Sequence, residues 1–85
     1  MKPEHLSLYE AVDAELARAD KWAPYNSAHE GFAVIHEEFD ELKAHVWMKQ
    51  RDRDLAAMRK EAIQVAATAV RFIRDVCDNE ATARR

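Results

Sequence analysis

An 85-residue chain makes one small domain, and at this length roughly 60–65% of the unfolded surface is buried, so a single copy has little core. One Gly and two Pro leave little material for hairpins, while 34% charged and 48% hydrophobic residues match amphipathic helices and exclude a disordered chain. A net charge of −3 argues against nucleic acid as a partner, and the lone Cys77 excludes an intrachain disulfide, which fits a reducing, cytoplasmic setting.

The first helical pattern runs from about Glu4 to Lys21, with Leu8, Tyr9, Val12, Leu16 and Ala19 at helical spacing. Pro3 suits a first-turn position, and Arg18 and Lys21 suit the negative end of the helix dipole. Pro24 is expected to end this helix by pushing Ala23 out of the αR region. Ser27 and Glu30 then spell a capping box that opens the second helix, about residues 27–49. Phe32, Ile35, Phe39, Leu42 and Val46 read as its apolar seam, with Glu38, Glu41 and His45 along one flank. Gly31 sits two turns before Glu38. A glycine inside a helix costs about 1 kcal/mol against alanine, so it marks close approach by a neighbouring helix or by a ligand.

Arg51-Asp52-Arg53-Asp54 reads as a polar connector, with Asp52 or Asp54 capping a third helix over about residues 55–77. Met58, Ala62, Val65, Ala69, Phe72 and Val76 mark one apolar face. Ile63, Ala66, Val70 and Ile73 widen it beyond the stripe of about 100° that an outer helix needs. A helix of this kind lies between neighbours. The expected fold is therefore all-α, three helices per chain, completed into a helical bundle by homo-oligomerisation as a homodimer or homotetramer, with Ile63 and Val70 at the interface. Residues 79–85 read as a polar tail that frays. No apolar run approaches the roughly 20 residues of a membrane span, and no signal-peptide core opens the chain, so no membrane partner is expected.

The acids carry the chemistry. Glu38 and Glu41 are three apart and project from one helix face, and Glu61 and Gln64 repeat that spacing on the third helix. Facing helices that present carboxylates in this way can cage a hard divalent cation, which in turn holds phosphate oxygens. Other metal and phosphate motifs are missing. His29-Glu30 and His36-Glu37 each begin like HExxH but lack the second His, and a single Gly excludes a P-loop.

Asn26 to Leu42, with Glu37-Glu38-Phe39-Asp40-Glu41 at its centre, and Lys60 to Asp75, with Glu61-Ala62-Ile63-Gln64, together resemble the EExxE…ExxD core helices of MazG-like nucleoside triphosphate pyrophosphohydrolases. The resemblance spans roughly residues 26–75. It implies an all-α, oligomeric, Mg²⁺-dependent enzyme, with Mn²⁺ as a substitute ion, that cleaves a (d)NTP to the monophosphate and pyrophosphate. Glu38, Glu41 and Glu61 match its metal ligands. Glu37 matches the first Glu of the motif, which orients or deprotonates the attacking water. Gln64 stands where the family has Asp: an amide offers one oxygen to the ion or to a metal-held water, but brings one negative charge fewer. Either the ion is held more weakly or another acid, such as Asp75, compensates. Lys60 and Arg71 share a side of the third helix with Gln64 and are candidates for the substrate phosphates. Trp22, Tyr25 and Trp47 either stack a base or cover the end of a small core. The competing reading is a non-catalytic helical module that oligomerises, or binds nucleotide or a partner helix, through a degenerate metal site.

Overall fold

The structure, a computed structural model, describes residues 5–85, and no strand occurs among them. Its helices are α1 (Leu6–Ala19), α2 (Ala28–Val46), α3 (Leu55–Phe72) and the short α4 (Glu80–Ala83). The expected helix start near Pro3 and Glu4 lies outside the described residues. No described helix is long and apolar enough to cross a membrane.

Local chemistry sets most of the boundaries. α1 stops at Ala19, ahead of Pro24, because the Asp20 N–H reaches back to the carbonyls of Leu16 and Ala17 (3.1 and 3.3 Å) and closes the last turn. Ser27 caps α2 as its spacing predicts, its Oγ accepting from the Glu30 N–H at 3.1 Å. The Glu30 carboxylate, however, accepts from Asn26 Nδ2 at 3.0 Å, so only the serine half of the capping box operates. α2 ends at Val46 instead of near residue 49, because Arg53 Nη2 donates to the Val46 carbonyl at 2.7 Å. After a 3₁₀ turn at Gln50–Asp52, Asp54 is the residue that caps α3, its Oδ1 accepting from the Ala57 N–H at 3.1 Å.

α3 packs against both α1 and α2. Ile63 faces a cleft it shares with Ala11 and Ala14 of α1, so part of the wide apolar face of α3 is covered within one chain. Val70 remains 38% exposed. On α2 the inward side is Gly31, Ile35, Glu38, Leu42 and His45, which places Glu38 within the seam and not at its edge. Phe32 and Phe39, read from sequence as seam residues, are instead 63% and 52% exposed. They flank His36, with ring centroids 6.0 and 6.4 Å from it.

Gly31 of α2 packs closely against Phe72 of α3 and Tyr25 of the connector. A Cβ there would lie 2.7 Å from Phe72 Cδ2 and 2.9 Å from Tyr25 Cδ2, so the glycine answers to neighbouring side chains. Beyond Phe72 the helix widens into a π turn over Ile73–Cys77, closed by the Asp78 N–H bonding the Ile73 carbonyl at 2.9 Å. The expected polar tail is folded. Asn79 caps α4 by accepting from the Thr82 N–H at 3.4 Å, Thr82 is buried, and Arg85 Nη1 donates to the Asn26 carbonyl at 3.4 Å.

Candidate metal centre and adjoining groove

The three carboxylates singled out by spacing come together. One oxygen from each of Glu38, Glu41 and Glu61 lies within 4.8 Å of the others, Glu38 and Glu61 half-buried and Glu41 exposed. α2 supplies the first two from adjacent turns, and α3 brings Glu61 across the seam. Three negative charges at this spacing repel, and the protein answers with a proton. Burial first, then Glu41, Glu61 and Glu37, raise the Glu38 carboxyl to about 7. Burial and a hydrogen bond to Glu41 raise Glu61 as well.

Gln64 also meets the cluster. With its amide nitrogen toward the acids, Nε2 donates to Glu61 Oε2 at 2.9 Å and to Glu38 Oε2 at 3.0 Å. Turned the other way, the same amide presents an oxygen to the same place. Asp75, the alternative compensating acid, is not part of the cluster. It is buried, its Oδ1 accepts from Arg74 Nε at 2.9 Å, and its Oδ2 accepts from the Tyr25 N–H at 3.4 Å.

The remaining sequence candidates divide. Glu37 is exposed and adds charge beside Glu38, but it contributes no oxygen to the cluster. Lys60 is exposed and lines the shallow cleft between α1 and α3, where its charge partly offsets the rise at Glu61. Arg71 is buried and lines a groove that also includes Glu38 and Gln64. Trp22 and Tyr25 line the same groove, whereas Trp47 lies 75% exposed beyond the end of α2. Thr68, one turn on from Gln64, is a groove residue that no sequence signal marked. His45 stands beside Glu61, with its Nδ1 buried and unpartnered.

A Mg²⁺ ion takes oxygens at about 2.0–2.1 Å, so oxygens across it are about 4.2 Å apart. The three oxygens, within 4.8 Å of one another, form an oxygen-only donor set of the kind a hard cation takes. The class of protein defined here is an all-α helical bundle with a tri-carboxylate cluster, of which Glu38 also lines a groove. No protein-family model, no curated protein and no solved structure matches the chain.

Proposed function

We propose that this protein is a Mg²⁺-dependent nucleoside triphosphate pyrophosphohydrolase, working as a homo-oligomer. The observation that carries the reading is the convergence of Glu38, Glu41 and Glu61 from two helices, with Gln64 in contact, where Glu38 and Gln64 also line a groove large enough for a small molecule. The resemblance of residues 26–75 to MazG-like enzymes supplies the reaction, and the arrangement supports it. Glu38, Glu41 and Glu61 hold the ion, which supplies charge neutralisation at the substrate phosphates. Gln64, with its amide flipped, would offer an oxygen to the ion. Glu37, exposed beside the cluster, orients the attacking water and accepts its proton. Lys60 serves as a solvent-side cation near the phosphates.

The Gln64 amide also favours a second reading. A neutral donor that hydrogen-bonds two of the carboxylates stabilises the cluster without an ion, as a non-catalytic binding module requires. Pyrophosphate release from a panel of (d)NTPs, with and without Mg²⁺, separates the two. Metal-dependent release establishes the enzyme. Nucleotide binding without release establishes the module.

A further inference from the structure

The cleft between α1 and α3 has a cavity volume of about 540 Å³, within the roughly 300–1,000 Å³ typical of small-molecule sites. Short side chains, Ala11 and Ala14 on α1 and Ala56 on α3, leave it open. Its charged lining is Glu15 and Arg18 from α1, and Arg59 and Lys60 from α3. Arg18 and Glu15 cancel, since Arg18 Nε donates to Glu15 Oε2 at 3.0 Å. Arg59 and Lys60 are left over. Both are exposed, within reach of a dissolved anion, and neither takes part in an ion pair among the described residues.

Gln64 joins this cleft to the acid cluster. It lines the cleft, and its amide contacts Glu61 Oε2 at 2.9 Å and Glu38 Oε2 at 3.0 Å. Lys60 stands one turn before Gln64 on α3, about 6 Å of helix rise, which is the reach of two linked phosphates. Glu15, Arg18 and Gln64 also line the groove that includes Glu38, so cleft and groove adjoin. Their charges differ. The groove sets Arg18, Lys21 and Arg71 against Glu15, Glu30 and Glu38, and is balanced. The cleft sets three cations against Glu15 alone. A cleft lined by one sign of charge concentrates the opposite sign. The β and γ phosphates are the most anionic part of a nucleotide, so the cleft suits them and the balanced groove suits the nucleoside.

We propose that the α1–α3 cleft is the subsite for the β and γ phosphates, with Arg59 and Lys60 pairing with their oxygens while the α phosphate lies at the acid cluster. This rests on the reading of that cluster as a metal–phosphate site. It makes Arg59 a substrate-binding residue. Attack of water at the α phosphorus breaks the bond to the α–β bridging oxygen, the water proton passing to Glu37. The electron pair of the broken bond leaves with pyrophosphate, and the cleft cations stabilise the charge that develops there. A monophosphate lacks the groups that fill the cleft.

The test is calorimetric titration with inorganic pyrophosphate in millimolar Mg²⁺. Wild type should bind it, and Arg59→Gln should weaken binding about tenfold, the scale of one hydrogen bond to a charged group. Arg59→Lys should keep most of the affinity. Arg84→Gln makes the same change of charge on α4, beyond the other end of α3, and should stay within about twofold of wild type. No pyrophosphate binding by wild type, no weakening by Arg59→Gln, or equal weakening by Arg59→Gln and Arg84→Gln would overturn the subsite. In each of those cases, a Mg²⁺-induced rise in melting temperature that Glu38→Ala abolishes leaves the metal reading standing. Absence of that rise overturns the metal reading, and the subsite with it.

Discussion

At the scale of single residues, Glu38 has the largest consequence. Its carboxyl is raised to about 7 from an ordinary 4.5, by burial first and then by Glu41, Glu61 and Glu37. A raised folded-state value means that the native protein binds this proton more tightly than the unfolded chain does. The resulting stability is complete below about pH 4.5 and is lost as pH rises through about 7. In a chelator, the melting temperature should fall between about pH 5 and about pH 8, and Glu38→Gln should flatten the slope. A metal ion competes with the same proton, so millimolar Mg²⁺ should raise the melting temperature most above about pH 7. Glu38→Ala should lose that rise; equal shifts in mutant and wild type would remove Glu38 from the metal site. Gln64→Asp adds a fourth carboxylate where the amide now donates to two. It should lower stability without metal, tighten Mg²⁺ binding, and leave pyrophosphate release equal or higher. Weaker Mg²⁺ binding in calorimetry would assign Gln64 another role.

At the scale of elements, the α2–α3 crossing depends on the missing side chain at Gly31. Gly31→Ala gains about 1 kcal/mol of helix propensity but forces an atom against the rings of Phe72 and Tyr25, and overpacking of this kind costs about 1–3 kcal/mol. The Tyr25 ring is held from its other face by Arg71 and has little room to yield. A net loss of about 1 kcal/mol is expected, read as a lower urea midpoint at unchanged slope. The π turn contributes a second dependence. It carries Asp75, whose carboxylate joins Arg74, Arg71 and the Tyr25 N–H and so ties the end of α3 to the connector before α2. Asp75→Ala leaves the Arg71 charge buried and unpaired, at a cost of about 3 kcal/mol by the same measurement. Tyr25 and the groove floor should loosen with it.

At the scale of the whole molecule, the chain is short of core. Among the described residues only Tyr25, Ala67 and Val76 are buried hydrophobics, while Phe32, Phe39, Val70 and Ile73 are all at least 38% exposed. In the proposed homo-oligomer, a second copy joined through a two-fold axis would cover these exposed apolar residues. The outer face of α2 carries more of that surface than the sequence reading of α3 anticipated, because α3 covers part of its own excess against α1. Light scattering at micromolar concentration should report a dimer or larger. Phe39→Glu should dissociate or unfold it, whereas Ile63→Ala, on the α1 side, should lower stability without changing the assembly. A stable 9.8 kDa monomer would overturn the oligomer.

Local rules alone determine α1, α2 and α3, though not α4, together with the Ser27 cap, two candidate caps for α3, and the stripe that joins Glu38 to Glu41. These depend on neighbours three or four residues away, so spacing is enough to read them. Spacing also brings Glu61 into consideration, but only the packing of α3 on α2 sets its oxygen beside the other two. Other features join residues about fifty apart. The pairing of Asp75 with the Tyr25 backbone, the burial of Arg71 over the Tyr25 ring, and the groove they close with Thr68 have no local pattern to reveal them. Sequence position made Arg71 a candidate for the substrate phosphates but gave no sign that it is buried, because charge is usually solvated. It is buried because Ala23, Tyr25 and Asp75 together replace its water, and only the tertiary fold decides which residues those are.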